Sequence, residues 1–209
     1  MISNEKRTIF THIPKCAGTS IEKAFGLTVK PSDGKHASIG DIKNHFNKQN
    51  ASHLYDQYFK FTFVRNPFDQ LYSFYNYHRN LISDMPKIFN FEDDFEEFLI
   101  NLENGLPSER QIVSQTEQGI QGAKWAFEDM FQKRYVFIND KNQLDFIGRF
   151  ETLQKDFKVV SKVCNLDYDL THLNNSGNKA PYWHRYTKRA RKLAEDLLSE
   201  DLKAFGYEF

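Results

Sequence analysis

The first hydrophobic pattern in the chain predicts a strand, a loop and a helix in succession. Residues 8–13 form a short apolar run rich in β-forming side chains, and Pro14 ends that run. After Gly18 the apolar positions change to a helical spacing that begins at Thr19 or Ser20. We therefore expect a connecting loop between this strand and this helix.

A second unit of the same kind follows about 50 residues later. Residues 59–64 read Phe-Lys-Phe-Thr-Phe-Val, which predicts a strand, and residues 65–67 predict a turn. Residues 68–80 have helical spacing. Pro67 stands at the start of that helix, where the missing N–H group is tolerated best.

Two further strand candidates lie in the second half of the chain. Residues 135–138 form one, which Asn139-Asp140 ends, and residues 146–148 form the other, before a helical stretch at 152–163. Strands that alternate with helices indicate a parallel sheet covered on both faces. The predicted fold class is therefore α/β, with three layers and a mostly parallel sheet.

The carboxyl end predicts a charged amphipathic helix over residues 186–204, followed by an aromatic tail at 205–209 that packs against the core. A chain of 209 residues with 40% hydrophobic content is long enough for one sizeable core. It is short for two ordinary domains. We expect one domain over residues 1–209.

Bulk composition excludes some classes of partner. The 28 basic and 28 acidic residues cancel, so we expect no general affinity for nucleic acid or for an anionic membrane. Any anion site must therefore be local. The 20 Phe and 10 Tyr favour an aromatic core, with a sugar-stacking surface as the alternative.

The cysteines favour a reducing compartment. Cys16 and Cys164 are far apart and lack the spacing of a disulfide framework or a zinc site. Residues 1–7 are polar and leave no room for a signal peptide, and no apolar run approaches the roughly 20 residues that span a bilayer. We expect a cytoplasmic protein, although removal of an anchor would leave the same pattern.

Residues 13–20 read Ile-Pro-Lys-Cys-Ala-Gly-Thr-Ser and predict an anion-binding loop. The junction of a strand and a helix amino terminus presents backbone N–H groups and a positive helix dipole, which favour phosphate or sulfate. An ordinary turn with an exposed lysine is the alternative. The nucleotide-triphosphate loop G-x-x-x-x-G-K-[ST] is absent, because Lys15 precedes Gly18 by three residues.

Arg65 and Ser73 predict a second anion site. Arg65 lies at the carboxyl end of a predicted strand, where ligands bind in open parallel sheets. Ser73 lies roughly two helical turns further on, on about the same helical face as the turn. An arginine fork and a hydroxyl that converge suit a phosphate. Alternatively, Arg65 pairs with Asp69 and Ser73 only packs.

These two segments resemble those of the PAPS-dependent sulfotransferases, in the branch with the heparan 2-O and chondroitin 4-O carbohydrate sulfotransferases and small bacterial relatives. Residues 13–20 are similar to the 5′-phosphosulfate loop and residues 63–73 to the 3′-phosphate motif. Similarity continues at residues 146–151 and 201–209. The resemblance implies a P-loop-containing nucleotide-binding fold and transfer of a sulfuryl group from PAPS to a hydroxyl acceptor, with PAP as product and no metal required.

The resemblance also implies which residues bind the donor. Lys15 contacts the bridging and sulfuryl oxygens and is a catalytic residue, while Arg65 and Ser73 hold the 3′-phosphate. Lys179, in a loop at residues 174–182 expected near the base and ribose, reaches a phosphate. The rest of the donor loop also binds PAPS, with its last three residues on the 5′-phosphate: Cys16, Ala17, Gly18, Thr19 and Ser20.

His36 is predicted to be the general base. Residues 34–38 resemble the place where the heparan 2-O branch carries its catalytic histidine, and a histidine has an unperturbed pKa near working pH. A surface or capping histidine is the alternative. His12 also matches the phosphosulfate motif, where it more often orients backbone. Gln70 departs from the family, because relatives usually have arginine there.

Two other functions stay open from the sequence. Residues 135–140 resemble a kinase strand that ends in a magnesium-binding acid, or else a strand followed by an Asn-Asp turn. The missing G-K-[ST] order argues against a P-loop kinase, and magnesium dependence with ATP would separate the two enzymes. The third possibility is a non-catalytic module that binds PAP and sulfates nothing.

The acceptor is expected to be a hydroxyl-bearing glycan or other small molecule, and the oligomeric state is not predicted. Residues 81–133 have mostly helical pattern, with breaks at Pro86, 105–107 and 119–122, and are expected on the acceptor side. Three aromatic residues could stack on a sugar or pack in the core: Trp125, Tyr182 and Trp183.

Overall fold

The computed structural model describes residues 1–26, 34–79, 94–103, 128–168, 170 and 180–209. These residues group into two compact units. The first comprises Met1–Arg65 with Gln132–Asn175, and the second comprises Asn66–Phe131 with Ser176–Phe209. The first unit is a sheet with helices, and the second is helical. That both units act as a single domain stays a prediction.

The first unit contains the sheet. Its described elements are β1 (Ile2–Ser3), β2 (Thr8–Phe10), α1 (Gly18–Ala24), α2 (Ile39–Lys48), α3 (Ser52–Gln57), β3 (Phe59–Val64), β4 (Phe137–Ile138), β5 (Lys141–Asn142), β6 (Phe146–Arg149) and α6 (Leu153–Val163). The second unit contains α4 (Pro67–Arg79), α5 (Phe95–Glu103), α7 (Lys188–Leu197) and α8 (Ser199–Phe205).

The main sheet has the strand order β1-β2-β3-β6. Strand β3 pairs in parallel with β2 and with β6, and Phe61 is its partner residue for Phe10 on one side and Phe146 on the other. Strand β1 pairs antiparallel with β2, so the sheet is mixed. This confirms an α/β fold with parallel strands and flanking helices, whereas the three-layer arrangement and P-loop type stay predictions.

The strand predicted at residues 59–64 is confirmed as β3. Five of its six residues are buried, as is typical of a parallel strand covered by other elements. Phe61 and Phe63 pack with Ile21 of α1 and Phe157 of α6 in one hydrophobic cluster. Gly148 on β6 allows this packing, since a Cβ there would lie 2.4 Å from the Phe63 ring.

The strand predicted at residues 135–138 is wrong in its place and extent. Tyr135 belongs to a short 3₁₀ helix, Lys133–Tyr135, and β4 pairs antiparallel with β5 in a separate two-stranded hairpin. Asn139 (φ 49°) and Asp140 (φ 58°) form its turn in the left-handed region, which is the geometry that closes a two-residue hairpin. The Asn-Asp pair therefore makes a turn.

Helices α2 and α3 occupy residues for which the sequence patterns above predict no element. Helix α2 begins with a capping box, in which the Ser38 hydroxyl accepts from the Asp41 N–H at 3.1 Å and the Asp41 carboxylate accepts from the Ser38 N–H at 2.9 Å. Ile39, Ile42 and Phe46 share its buried face.

The second unit has an aromatic core. Helix α4 spans Pro67–Arg79, close to the predicted 68–80, and Phe68 and Tyr75 are buried in it. The core cluster also contains residues of α5 and α7 and the residue that follows α7, and Leu202 of α8 packs against it: Phe95, Phe98, Leu99, Leu102, Ala190, Ala194 and Leu198.

The carboxyl-terminal helix predicted at 186–204 is instead two helices, α7 and α8. Leu198 separates them because its backbone (φ −97°, ψ 8°) departs from helical geometry. The prediction for the aromatic tail is confirmed. The ring of Phe209 lies edge-on against Phe68 at 5.0 Å and Tyr186 at 5.5 Å between ring centroids.

Little of the expected acceptor-side region can be placed. Within residues 81–133, only 94–103 and 128–133 are described, and the breaks predicted at Pro86, 105–107 and 119–122 lie outside the described residues. Helix α5 confirms helical structure in part of this region. Across the described part of the chain, no helix is both long and apolar enough to cross a membrane.

Candidate active site

The candidate site lies at the carboxyl edge of the parallel strands in the first unit. Because β2 and β3 are parallel neighbours, the segments that follow them leave the sheet at the same edge. Backbone pairing continues past β2, since the Thr11 N–H donates to the Phe61 carbonyl at 3.1 Å. The Thr62 hydroxyl donates to the Thr11 carbonyl at 2.7 Å. The loop after β2 therefore starts from a fixed point.

The loop after β2 bends sharply at two residues. Lys15 (φ 63°) and Ala17 (φ 64°) both have left-handed backbone conformations, which cost roughly 1–3 kcal/mol each in residues other than glycine. Ile13, before the bends, and Cys16, between them, are almost fully buried and anchor the loop. Such strain collects at ligand-binding turns, so the geometry supports a functional loop over an ordinary βα turn.

Two cationic side chains meet at this edge. Lys15 is half-buried, and burial together with the neighbouring Arg65 guanidinium lowers the pKa of its ammonium from 10.5 to about 8. The ammonium is still protonated at neutral pH. An anion placed beside both groups would relieve their repulsion, which is the electrostatic condition for binding a phosphate or sulfate.

Arg65 is tied to the loop by its side chain. Its Nη1 donates to the Lys15 carbonyl at 2.9 Å, and its guanidinium lies 4.1 Å from the centroid of the Phe150 ring. Stacking on an aromatic face and a hydrogen bond to backbone together orient the guanidinium plane. The predicted donor-site residues Lys15 and Arg65 are thus brought together.

Gln132 secures the backbone of Arg65 and was missed by sequence reasoning. Its side-chain Oε1 accepts from the Arg65 N–H at 2.9 Å, and its Nε2 donates to the Arg65 carbonyl at 2.8 Å. The Cys16 thiol also donates to Gln132 Oε1, at 3.8 Å. This fully buried amide therefore joins the end of β3 to the loop, across 67 residues of sequence that carry no local signal for it.

His36 has the tautomer that a general base requires. Its Nδ1 lies 2.8 Å from the His12 carbonyl oxygen. A carbonyl only accepts, so Nδ1 carries the hydrogen and Nε2 is left with its lone pair. Burial, opposed by this hydrogen bond, lowers the pKa of His36 below 6.5 and keeps the imidazole neutral at pH 7.

His12 is a buried, neutral histidine that orients its surroundings. Burial lowers its pKa to about 4, although a hydrogen bond with Glu22 opposes the shift. Its Nδ1 donates to Glu22 Oε1 at 2.5 Å, and its ring lies edge-on to His36 at 4.7 Å between centroids.

Glu22 also has a second partner, because Lys35 Nζ lies 3.3 Å from Glu22 Oε2. Burial alone would raise the pKa of the Glu22 carboxyl, but His12 and Lys35 hold it below 4.5.

The remaining residues of the donor loop differ in exposure. Gly18 begins α1 and is buried, Thr19 is exposed, and Ser20 is buried with its N–H donating to the Ala17 carbonyl at 3.0 Å. The ring of His12 fills the space that a side chain at position 18 would need, because a Cβ there would lie 2.1 Å from two of its atoms.

Gly18→Ala is expected to lower the free energy of unfolding by about 1–3 kcal/mol, because the added methyl group must displace the His12 ring. Gly40→Ala in α2 is the matched control, since its Cβ would lie 3.6 Å from the Ser38 hydroxyl and meet no clash. Chemical denaturation measures both. A Gly18→Ala protein as stable as Gly40→Ala would show that this close packing is absent.

The first unit does not contain the other predicted donor residues. Ser73 is half-buried on α4 in the second unit, and its pairing with Arg65 stays a prediction. Lys179 lies outside the described residues. Gln70, which replaces the arginine of relatives, is fully buried, and its Nε2 donates to the Met130 carbonyl at 2.9 Å.

The candidate sugar-stacking residues differ in exposure. Tyr182 is half-buried, its ring packs against Phe209, and its hydroxyl accepts from Asn66 Nδ2 at 3.0 Å. This favours a packing role for Tyr182. Trp183 is 52% exposed and stays a candidate, while Trp125 lies outside the described residues.

The acid of the kinase hypothesis lies in an exposed hairpin turn. Asp140 is exposed in the β4–β5 turn, with its Oδ1 2.9 Å from Lys133 Nζ. This supports the turn interpretation of residues 135–140. Among the residues that the structure describes, no group of three or more His, Cys, Asp or Glu side chains could hold a metal ion.

Comparison with known proteins identifies one family. The model of the sulfotransferase family matches residues 1–208 of the chain. No curated protein and no solved structure gives a significant match. The family match covers nearly the whole sequence and includes every residue of the cluster at the carboxyl edge of the sheet. It supports sulfuryl transfer as the reaction class.

Proposed function

The chain belongs to the sulfotransferase family, and on that premise we propose that it transfers the sulfuryl group of PAPS to a hydroxyl acceptor. The observation that carries the proposal is the meeting of Lys15 and Arg65 at the carboxyl edge of the parallel strands. Two cations held together beside a strained loop suit a donor that carries phosphate and sulfate groups.

Lys15 is proposed to stabilise the departing PAP. Sulfuryl transfer resembles phosphoryl transfer, in which positioning and stabilisation of charge on the leaving group supply most of the rate enhancement. The Lys15 ammonium, protonated at neutral pH, would contact the bridging and sulfuryl oxygens. The loop residues up to Ser20 would hold the 5′-phosphate, and no charge from a metal is needed in this scheme.

Arg65 and Ser73 are proposed to hold the 3′-phosphate, and Lys179 another phosphate of the donor. For Arg65, support comes from its stacked and hydrogen-bonded guanidinium, which is oriented before any ligand arrives. For Ser73, the support is the family resemblance of residues 63–73. For Lys179, it is the expectation that the base and ribose lie near the loop at residues 174–182. A preoriented guanidinium loses less side-chain entropy on binding phosphate.

His36 is proposed to be the general base. Its Nε2 would take the proton of the acceptor hydroxyl as the hydroxyl oxygen attacks the sulfur in line with the leaving group. The His12 carbonyl supports this role, because it fixes the hydrogen on Nδ1 and leaves Nε2 able to accept. The proton then resides on His36 until solvent removes it.

His36→Ala is expected to lower turnover by about 10²-fold to 10⁴-fold with little change in PAP affinity, because the base touches the acceptor and not the nucleotide. In the wild type, activity should fall as the pH drops through the pKa of His36, which lies below 6.5. The variant should lose this acid limb. An unchanged pH–rate profile would move the base elsewhere, with His12 and Glu22 the next residues to test.

The acceptor is proposed to be a carbohydrate, with residues 81–133 on the acceptor side and Trp183 as a candidate stacking residue. The test is to incubate the protein with labelled PAPS and an extract of its source, and to identify the sulfated product. Parallel reactions with ATP and magnesium test the kinase alternative. PAP binding without any sulfated product would favour a non-catalytic module instead.

A further inference from the structure

We propose that Glu22 is a positioning residue for His36, which it holds through His12 and through Lys35. This inference rests on the proposed function, since it assumes that His36 is the base. Glu22 itself would touch neither donor nor acceptor. It would act through His12 and Lys35.

The two carboxylate oxygens of Glu22 serve different partners. Oε1 accepts from His12 Nδ1 at 2.5 Å, and the carbonyl of the same histidine accepts from His36 Nδ1 at 2.8 Å. Oε2 lies 3.3 Å from the ammonium of Lys35, the residue that directly precedes His36. One carboxylate thus fixes both the hydrogen-bond acceptor of the base and its neighbour in the chain.

The position of Glu22 in α1 joins the base to the donor loop. Gly18 lies one helical turn before Glu22 and packs against the ring of His12. Glu22 is only 6% exposed, although a buried carboxylate is costly unless it is paired. Both oxygens of this carboxylate have a partner, which offsets the cost of burying the charge.

The charges that face His36 act on it in opposite directions. The Glu22 carboxylate raises the pKa of His36, while the ammonium groups of Lys35 and of the amino terminus at Met1 lower it. His12 stays neutral near pH 7, because burial lowers its pKa to about 4. Removing Glu22 and removing Lys35 should therefore shift the titration of His36 in opposite senses.

The experiment compares Glu22→Gln and Lys35→Met in the full chain. Glutamine keeps an oxygen for His12 but loses the charge. The titration of His36 is followed by NMR of its imidazole nitrogens, with the signal identified by its loss in His36→Ala. Two surface variants are matched controls, Glu5→Gln and Lys23→Met, since Glu5 and Lys23 are exposed.

We expect the pKa of His36 to fall in Glu22→Gln, to rise in Lys35→Met and to stay unchanged in both controls. Turnover in Glu22→Gln should fall about tenfold, which is less than the 10²-fold to 10⁴-fold loss expected on removing a general base. The KM for PAPS should stay within about twofold of the wild-type value. The acid limb of its pH–rate profile should move to lower pH with the His36 titration.

Shifts in the same direction, or no shift in either variant, would overturn the proposal. So would a loss in Glu22→Gln that appears only in the KM for PAPS. If Glu22→Gln fails to fold, the rise expected in Lys35→Met decides by itself. If the wild type transfers no sulfuryl group, the proposed function fails, but the NMR titration still tests whether Glu22 and Lys35 control His36.

Discussion

Lys15→Ala is expected to lower turnover about 10²-fold to 10³-fold, the usual loss on removing one group that stabilises charge in the transition state. Most of the affinity for PAP should remain, because the other loop residues and Arg65 still bind its phosphates. The loss should therefore appear in kcat and kcat/KM together. Steady-state kinetics with PAPS, beside calorimetric titration with PAP, measures both quantities.

Lys23→Ala provides the control for Lys15→Ala. Lys23 lies on α1, close in sequence to the donor loop, but its side chain is exposed. It should keep the turnover of the wild type. A folded Lys15→Ala protein with near wild-type turnover would contradict the catalytic assignment of this lysine.

Arg65→Ala is expected to abolish most of the preference for PAP over AMP. PAP carries a 3′-phosphate that AMP lacks, and the Arg65 guanidinium is proposed to bind that phosphate through charge-assisted hydrogen bonds. Charge-assisted hydrogen bonds contribute roughly 1.5–3 kcal/mol each, so losing two weakens binding by about two to four orders of magnitude. The wild type should show that difference between the two nucleotides, and Arg65→Ala should show little of it.

Arg65→Ala removes the guanidinium, together with its hydrogen bond to the Lys15 carbonyl. The Gln132 amide binds the backbone N–H and carbonyl of residue 65, so the end of β3 should stay attached to the loop in the variant. Arg7→Ala is the matched control, because Arg7 precedes β2 and is exposed at the opposite edge of the sheet. Ser73→Ala should reduce the discrimination in part, and Lys15→Ala should leave it largely intact. Full discrimination in Arg65→Ala would place the 3′-phosphate elsewhere.

Local sequence signals were sufficient to predict the segment from β3 to α4. Three signals lie within ten residues of each other: the apolar run at 59–64, the turn at Arg65 and the proline at position 67. In the structure they correspond to β3, a turn and the start of α4. The loop at Lys15 was predictable for the same reason. Its lysine, glycine and hydroxyls are adjacent in the chain and follow a β-rich run.

Features that depend on distant partners were not predictable. Residues 135–138 are as apolar as a sheet strand, but only Phe137 and Ile138 form a strand, which pairs with Lys141–Asn142 in a hairpin. Gln132 meets Arg65 only after the chain has folded, and nothing in its neighbours marks it. The burial of Glu22 could have been predicted, because this acidic residue lies one helical turn after Gly18 on the buried face of α1.

The central claim is that the donor is PAPS, and titration of the wild-type protein with PAP and with AMP tests it most directly. Calorimetry without added metal should give a dissociation constant for PAP about two to four orders of magnitude below that for AMP. Equal affinity for the two nucleotides would contradict the 3′-phosphate site and, with it, the assignment of PAPS as donor.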